Sequence, residues 1–479
     1  MASAAVLAQK GYSVQLIEKN DQLGGRCRLW EEMGFSFDMG PSWYWMPEVF
    51  ENFFHQFGYT TEDFYDLKRL DPGYRVYFSA QDFMDIPADP LKLEALFEEY
   101  EPGAGLKLRE FLTQAEYKYK VGMRDYVFRP SHSILEFLDP TLLLEAIKIQ
   151  IFSSQRSHVR KYFKHPYLIS ILEFPVLFLG GTAQNIPALY SMMNYADLSL
   201  GTWFPMGGMV QIPQAMGRIC KEQNVEIHLN TEVHKILSKD KLAREVHTNQ
   251  GIFYPDYIIS GADYEHTDQE LLEPNFRNYS PAYWDSRTLS PSSLLFYLGI
   301  NRKLEGVKHH TLFFDESLDD HAHEIYKDPK WPSKPLFYVC CTSVTDPSTA
   351  PEGMENLFLL MPLAPGLQDS EELREKYYEI MMDRMEKTFG QEIKNHVIVK
   401  RSYAMHDFIQ DYHSYKGNAY GLANTLFQTA FLKPKMKSKK LKNLLFTGQL
   451  TVPGPGVPPS IISGEIAAKE LLVLIEKQA

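Results

Sequence analysis

The sequence has few cysteines, no long basic run and no apolar stretch long enough to cross a bilayer. Its four cysteines, Cys27, Cys220, Cys340 and Cys341, show no metal-like or redox C-x-x-C spacing, which favours a reduced cytosolic setting. The net charge of −12 argues against nucleic-acid binding, because phosphate contacts need clustered Lys and Arg. Since a bilayer span needs roughly 20 apolar residues, we expect any membrane contact to be peripheral.

A G-x-G-x-x-G loop is also absent. The chain opens with a predicted Ala-rich helix over residues 2–10, followed by a buried strand over residues 14–17 that ends at Glu18. This order is typical of the second half of a dinucleotide-binding βαβ unit, whose acidic residue accepts hydrogen bonds from a ribose. Because the glycines precede that residue by about 20 positions, we expect the natural protein to begin roughly 10 to 20 residues before Met1.

The remaining sequence predicts a large α/β globular protein of two or three domains, since 44% of its 479 residues are hydrophobic. Residues 1–75, 200–290 and 430–479 are assigned to a discontinuous, Rossmann-like nucleotide-binding domain. Residues 76–199 and 291–429 are assigned to an α+β substrate domain with a helical, membrane-associating part.

The stretch DQLGGRCR is a candidate diphosphate loop. Gly24 and Gly25 carry no Cβ, so their amides could approach a diphosphate, and the guanidinium of Arg26 could assist. A Gly–Gly pair alone is more often a simple turn, but its position shortly after Glu18 favours a cofactor.

Two further stretches could border a cofactor. In FDMGPSWYW, Gly40 and Pro41 precede three aromatic residues, and a rigid packed turn remains as good an interpretation as a cofactor wall. Near the end, Gly448 closes a strand, and PGPGVPPS precedes a helix whose positive N-terminus suits a flavin pyrimidine edge or a phosphate chain. A plain Pro-rich loop is the alternative there.

The histidines His309, His310, His321 and His323 match no catalytic-zinc spacing, so we predict no metal site.

An apolar segment over residues 142–152 precedes four cations, Arg156, Arg160, Lys161 and Lys164. That order suits a patch that dips into a lipid interface, with its cations near the headgroups. A core helix followed by a solvated turn is the alternative.

Taken together, the sequence resembles the phytoene desaturase family of FAD-dependent carotenoid desaturases, within the amine-oxidase-like flavoproteins. The resemblance covers nearly the whole chain and is carried by VQLIEKNDQLGGR, GFSFDMGPSWYWMPEVF, GNAYGLANTLFQTAFLKP and the C-terminal signature FTGQLTVPGPGVPPSIISG. The family's first glycine motif is absent from this sequence, so weak FAD binding, or none, is expected.

The resemblance implies FAD as the cofactor and thirteen residues around it. Glu18 would hold the adenosine ribose, Gly24, Gly25 and Arg26 would lie along the diphosphate, Gly40, Pro41 and Ser42 would approach the flavin, Thr231 and Val233 would touch the adenosine end, and Gly448, Gly456, Val457 and Pro458 would border the isoalloxazine.

The activity that this resemblance implies is phytoene desaturation, which removes hydrogen pairs from phytoene to give a lycopene-like product. The alternatives are a hydroxycarotenoid 3,4-desaturase, a carotenoid isomerase without net oxidation, and a flavin-free carotenoid-binding paralogue. Expected partners are a hydrophobic carotenoid, the surface of the cytoplasmic membrane, which the cytoplasmic protein would contact peripherally, and oxygen or a quinone as electron acceptor. Glu136 and Asp139 are more often solvated than catalytic at such positions, so no catalytic residue is assigned.

Overall fold

A computed structural model describes residues 1–133, 150 and 153–477. Over these residues the fold is mixed α/β, as predicted. The helices are α1 (Ala2–Gln9), α2 (Pro47–His55), α3 (Pro90–Tyr100), α4 (Ala104–Val121), α5 (Gln155–Tyr162), α6 (Pro166–Glu173), α7 (Met192–Tyr195), α8 (Gln211–Glu222), α9 (Tyr264–His266), α10 (Pro281–Asp285), α11 (Leu318–Tyr326), α12 (Glu371–Phe389), α13 (Met405–Tyr412) and α14 (Val457–Glu476). The strands are β1 (Gln15–Ile17), β2 (Leu29–Glu32), β3 (Phe35–Asp38), β4 (Leu67–Arg69), β5 (Tyr74–Tyr77), β6 (Phe83–Ile86), β7 (Trp203–Pro205), β8 (Glu226–His228), β9 (Val233–Lys239), β10 (Leu242–Thr248), β11 (Gly251–Phe253), β12 (Ile258–Ser260), β13 (Ser292–Ile300), β14 (His310–Phe313), β15 (Phe337–Cys340), β16 (Glu355–Leu363), β17 (Val397–Tyr403) and β18 (Leu444–Phe446).

Two parallel strand pairs bring distant parts of the chain together. β1 pairs with β8, and β12 pairs with β18. α1 packs against α14, where the Ser3 hydroxyl donates a 2.7 Å hydrogen bond to the Gly464 carbonyl. A Cβ at Gly464 would lie 2.7 Å from the Cβ of Ala2, so the close approach of the two helices depends on small side chains. The N-terminal, middle and C-terminal segments thus form one side of the molecule.

β1 is half-buried to exposed rather than buried as predicted, because it lies in a sheet of only two described strands. Further along the chain, β9, β10 and β11 form an antiparallel sheet, and β12 follows separately.

A seven-stranded sheet forms the centre of the other side, in the order β17-β13-β16-β15-β14-β5-β6. β13 and β16 pair over nine residues each, and every residue of β13 is buried. One face packs against α12, and the other packs against α3, α4, α5 and α6. Burial of both faces explains why these strands are nearly continuous apolar runs in the sequence.

The proposed membrane segment cannot be compared with its prediction. Apart from Gln150, residues 142–152 lie outside the described residues, as do Glu136 and Asp139. Within the described part of the chain, no helix combines the length and apolar character needed to cross a bilayer.

The cations that follow this segment are in two different settings. Nη2 of Arg156 lies 3.1 Å and Nε of Arg160 lies 3.4 Å from the buried carboxylate of Glu173. Lys161 and Lys164 are exposed. The two arginines therefore have a structural role in holding α5 against α6.

Candidate functional site

A cavity of about 630 Å³ lies between the two sides of the molecule. Its walls come from residues 1–46, 127, 174–216, 261–362 and 408–464. This volume falls within the range of small-molecule and cofactor sites. One group of lining residues, the polar wall, consists of Glu18, Arg26 and Asp263. A second group, the apolar wall, consists of Phe174, Leu177, Leu179, Leu312, Phe314 and Leu360.

Eleven of the thirteen residues implied by the resemblance line this cavity. They are Glu18, Gly24, Gly25, Arg26, Gly40, Pro41, Ser42, Gly448, Gly456, Val457 and Pro458. Thr231 and Val233 are not among its lining residues. Thr231 is buried beside the polar wall, where its backbone N–H donates a 2.8 Å hydrogen bond to the Glu18 carbonyl, and Val233 begins β9.

Glu18 follows β1 and is held by its neighbours on both sides. Its backbone N–H donates to the His228 carbonyl at 2.8 Å, which extends the β1–β8 pairing by one residue. Its carboxylate oxygen Oε1 accepts hydrogen bonds from the backbone N–H of Asn20, at 2.9 Å, and from the Asn20 side-chain amide, at 3.1 Å. The carboxylate is therefore fixed at the cavity wall as a hydrogen-bond acceptor.

The Gly24–Gly25 turn is tight in a way that only glycine allows. Gly24 has φ of +112°, and a Cβ there would lie 2.5 Å from the Cys27 carbonyl oxygen. Gly25 has φ of +57°, with no atom within 4 Å of the position where its Cβ would be. The turn thus presents open backbone to the cavity.

Arg26 directs a guanidinium to the same part of the cavity. Nη2 donates to the Ser414 hydroxyl at 3.0 Å, while Nε is buried and has no hydrogen-bond partner among the described residues. The guanidinium lies 4.8 Å from the ring centre of Tyr412, and burial lowers its pKa from the usual value. Nearby Asp263 has its pKa raised to about 6 by burial, and the charge of Arg26 opposes that rise. Asp263 is not among the residues predicted from the sequence; the signal that could have identified it is its place in the short sequence GAD, directly after β12.

Gly40 and Ser42 border the cavity from the segment after β3. A Cβ at Gly40 would lie 2.6 Å from the Arg26 carbonyl oxygen, so these two chain segments touch through glycine. The Ser42 hydroxyl accepts a 3.0 Å hydrogen bond from the Tyr338 hydroxyl. Tyr338 in turn lies 2.6 Å from Nδ1 of His310, which is buried.

The N-terminus of α14 faces the cavity opposite these segments. Gly456, at φ of +115°, is its N-cap, and no side chain caps the helix. Pro458 and Pro459 carry no N–H, so Val457 supplies the N–H of the first turn together with the positive end of the helix dipole. Gly448 has φ of +101° and open space where a Cβ would be. The N-terminus of α14 and the open backbone at Gly448 therefore suit a flat, electron-rich ligand.

The histidines considered for a metal do not gather into one site. The ligand atoms of His309, His310 and Cys340, all buried, lie within 4.8 Å of one another. His321 instead bonds two backbone groups, and His323 lies apart from this group. The predicted absence of a metal stays a prediction.

The cavity fits a dinucleotide such as FAD in its chemistry. A buried guanidinium N–H without a partner, a glycine turn with open backbone, an uncapped helix N-terminus and a fixed carboxylate are the groups that a diphosphate, a flavin edge and a ribose require.

Comparisons with known proteins agree with this fit. The family model for flavin containing amine oxidoreductases matches residues 1–472. A carotenoid 3,4-desaturase from Haloarcula japonica is 40% identical over 474 residues, which cover 98% of this chain and 96% of the relative. A zeta-carotene-forming phytoene desaturase from Myxococcus xanthus is 28% identical over 100% of this chain and 93% of the relative. A 4,4'-diapophytoene desaturase from Staphylococcus aureus is 30% identical over 100% of this chain and 97% of the relative.

Solved structures share the fold. An oxidoreductase from Methanosarcina mazei superposes with a TM-score of 0.63 at 17% identity, covering 99% of this chain and 97% of the other. Cyclohexylamine oxidase from Brevibacterium oxydans superposes with a TM-score of 0.59 at 13% identity, covering 100% of this chain and 97% of the other. The predicted FAD cofactor and oxidoreductase class are confirmed. The chain belongs to the flavin-containing amine oxidoreductase family, and within that family it is a member of the carotenoid desaturases.

Proposed function

We propose that this protein is a carotenoid 3,4-desaturase, which introduces a double bond between C3 and C4 of a carotenoid. One observation carries the proposal: the 3,4-desaturase relative is 40% identical across nearly the full length of both chains, whereas the phytoene and diapophytoene desaturases are 28% to 30% identical. This difference favours the alternative raised by the sequence over phytoene desaturation.

In this proposal the eleven lining residues hold FAD along one wall of the cavity. Glu18 accepts from a ribose hydroxyl, and Arg26, through its unpartnered Nε–H, donates to the diphosphate. Val457 and the α14 dipole face the flavin ring. When bound, FAD supplies a hydride acceptor, which removal of two hydrogens from a saturated C–C bond requires.

The apolar wall receives the hydrocarbon. A carotenoid offers almost no hydrogen-bonding groups, so binding depends on burial of apolar surface, and Phe174, Leu179 and Phe314 provide such surface. The same side chains exclude water from the space beside the substrate, which protects an electron-deficient carbon from attack. The protein thus orients the chain and keeps its reacting end dry.

The proposal also includes peripheral association with the cytoplasmic membrane. A carotenoid is insoluble in water and is dissolved in the bilayer, so it must enter the protein from there. Lys161 and Lys164 are exposed, so their ammonium groups are available to anionic headgroups. The final electron acceptor in this proposal is oxygen or a quinone.

The test is incubation of the FAD-loaded protein with liposomes that contain either phytoene or a more unsaturated acyclic carotenoid. The expected product comes from the second substrate only, with the mass of two hydrogens lost and absorption shifted to longer wavelength. Stepwise loss of hydrogen pairs from phytoene would restore the phytoene desaturase interpretation. A product of unchanged mass with altered retention would instead indicate isomerisation.

A matched control uses Arg26→Met beside Arg218→Met. Arg218 is an exposed α8 residue that is not among the lining residues, and it pairs with Glu222 at 2.9 Å. We expect Arg26→Met to lose flavin absorbance and product together, and Arg218→Met to keep both. If Arg26→Met kept its full flavin content, the assignment of that side chain to the diphosphate would be wrong.

A further inference from the structure

Two histidines and a cysteine form a buried cluster at one end of a strand pair in the seven-stranded sheet. His309 is 5% exposed, His310 is fully buried and Cys340 is 2% exposed. One ligand atom from each of the three, a ring nitrogen or Sγ, lies within 4.8 Å of the other two. Imidazole nitrogen and thiolate sulfur are the donors that zinc sites in proteins use. The cluster thus has the composition of a metal site.

Strand pairing brings these residues together. His310 begins β14 and lies opposite Cys340, the last residue of β15, in the antiparallel register. The N–H of Cys341 donates a 2.9 Å hydrogen bond to the carbonyl of His309, so the pairing continues past the strand ends. The cysteine is therefore far from the histidines in sequence and adjacent to them in space. That separation explains why spacing along the sequence predicted no metal site.

Each histidine is oriented by a hydroxyl group. Nδ1 of His309 lies 2.7 Å from the Thr345 hydroxyl oxygen, and Nδ1 of His310 lies 2.6 Å from the Tyr338 hydroxyl oxygen. Nε2 of both rings has no hydrogen-bond partner among the residues that the structure describes. A neutral imidazole whose Nδ1–H donates to an oxygen carries a bare lone pair on Nε2, which is the arrangement of a metal-ligating histidine. Buried polar atoms are nearly always paired, so two such lone pairs require an explanation.

Aromatic rings surround the cluster. Trp43 stacks on His310 with ring centres 4.1 Å apart, and Phe204 meets His309 edge-on at 4.6 Å. A void of about 10 Å³ is bordered by Cys340 and Phe204. That volume holds no more than a single water molecule or ion. The surroundings therefore fix both imidazoles and leave room for one small ligand.

The donor set selects the class of metal. Thiolate and imidazole ligands suit zinc, whereas magnesium and calcium take oxygen ligands. Tetrahedral zinc, with Zn–S of about 2.3 Å and Zn–N of about 2.0 Å, places its donor atoms about 3.5 Å apart. Closing the cluster around zinc from separations of up to 4.8 Å requires shifts of about 1 Å. The void beside Cys340 leaves room for a movement of that size.

We propose that His309, His310 and Cys340 bind one zinc ion, with water as the fourth ligand. On binding, the Cys340 thiol releases its proton to solvent and coordinates as a thiolate. The bound ion keeps one net positive charge, which the carboxylate of Asp38, also at the void, would offset. The ion would tie the start of β14 to the end of β15. Because Tyr338 contacts His310 and lines the cavity, the metal would also stiffen that wall.

The experiment uses the FAD-loaded protein and two metal probes. The protein is incubated with Zn²⁺, passed over a chelating resin and analysed for zinc by mass spectrometry. In parallel it is titrated with Co²⁺, which occupies zinc sites and absorbs visible light strongly in tetrahedral coordination, at wavelengths beyond the flavin bands. We expect one Zn²⁺ retained per chain and a Co²⁺ band that saturates at one equivalent.

Variants separate this site from adventitious binding. Cys340→Ala and His310→Phe each remove one ligand, and each is made alone so that a folding failure in one leaves the other as a test. Cys341→Ala is the matched control, since this neighbouring cysteine is also buried and is not part of the cluster. Thr345→Val keeps all three ligands and removes only the hydroxyl that orients His309, so it should weaken Zn²⁺ affinity about tenfold or more.

The expected pattern is Zn²⁺ retention and a Co²⁺ band in the wild type and in Cys341→Ala, and loss of both signals in Cys340→Ala and His310→Phe with flavin absorbance kept. Folded wild type that retains no Zn²⁺ and shows no Co²⁺ band would overturn the proposal. Equal retention by the wild type and the two ligand variants would place the metal elsewhere and overturn it as well. These readouts measure metal alone, so their failure would leave the proposed carotenoid function standing.

Discussion

Asp197 offers a direct test of the electrostatics beside the cavity. It is 3% exposed and accepts hydrogen bonds from the Tyr74 hydroxyl at 2.9 Å and the Thr202 hydroxyl at 3.2 Å. The Thr202 hydroxyl also accepts from the indole N–H of Trp45, which lines the cavity. Burial raises the pKa of Asp197 from 3.8 to about 7, and the two hydrogen bonds oppose that rise.

The sign and size of the pH effect follow from this shift. Because the folded protein binds the Asp197 proton more tightly than the unfolded chain does, its contribution to stability is complete below about pH 4 and is lost as the pH rises to about 7. From pH 5 to pH 7 this loss covers two units at about 1.36 kcal/mol each, or about 3 kcal/mol. Asp197→Asn keeps a hydrogen-bond acceptor and cannot ionise. We therefore expect the free energy of unfolding of the wild type to fall about 3 kcal/mol more than that of the variant between pH 5 and pH 8.

Urea denaturation followed by tryptophan fluorescence at pH 5, 6, 7 and 8 measures this difference. Other buried carboxyl groups, such as Asp38, are present in both proteins and cancel in the comparison. Asp21→Asn, at an exposed carboxylate, is the control and should run parallel to the wild type. If the Asp197→Asn curve also ran parallel within about 0.5 kcal/mol, Asp197 would be ionised in the folded state and the argument from burial would be wrong.

Three further predictions follow from the structure. Tyr297→Phe should reduce stability in urea by about 1–3 kcal/mol, because the buried hydroxyl donates a 2.7 Å hydrogen bond to the Met39 carbonyl; an unchanged midpoint would contradict this. Gly24→Ala should lower retained flavin absorbance because its Cβ would overlap the Cys27 carbonyl, whereas Gly58→Ala, also at positive φ but in open space away from the cavity, should keep the flavin. A thiol reagent should label none of the four free, buried cysteines in the native protein and all of them in denaturant, and fast labelling of native protein would show that one is accessible.

Local patterns in the sequence were sufficient for much of the fold. Helix α12 begins after a serine N-cap and ends at a glycine in the left-handed region, so local sequence signals mark both of its ends. The apolar runs of β13 and β16 are likewise typical of strands that are buried on both faces. The predicted domain boundaries stay a prediction.

Residues of the cavity were predictable where backbone shape demands one residue type. Gly24 and Gly40 stand where any Cβ would meet another carbonyl oxygen within 2.6 Å, so the sequence had to carry glycine there. Thr231 was assigned by the resemblance alone. In the structure it does not line the cavity, and its backbone N–H bonds the carbonyl of Glu18, which does.

Asp263 could not have been found in this way. It is unremarkable in sequence, and its place in the site depends on its burial at the cavity and on the nearby charge of Arg26. These are properties of the tertiary fold, and single-residue patterns contain no information about them.

The pairing of β1 with β8 and of α1 with α14 has a consequence for biosynthesis. The register joins Gln15 to Glu226, and the Ser3 hydroxyl bonds the Gly464 carbonyl, so this early segment of the chain stays without partners until residues 211 and 461 positions further on have been made. Contacts this distant in sequence form slowly, and the apolar surface of the nascent chain is exposed to aggregation in the meantime. A chain that stalls before β18 is made should therefore aggregate even when its seven-stranded sheet is complete, and the yield of folded protein should depend on how long chaperones can protect the α1–β1 segment.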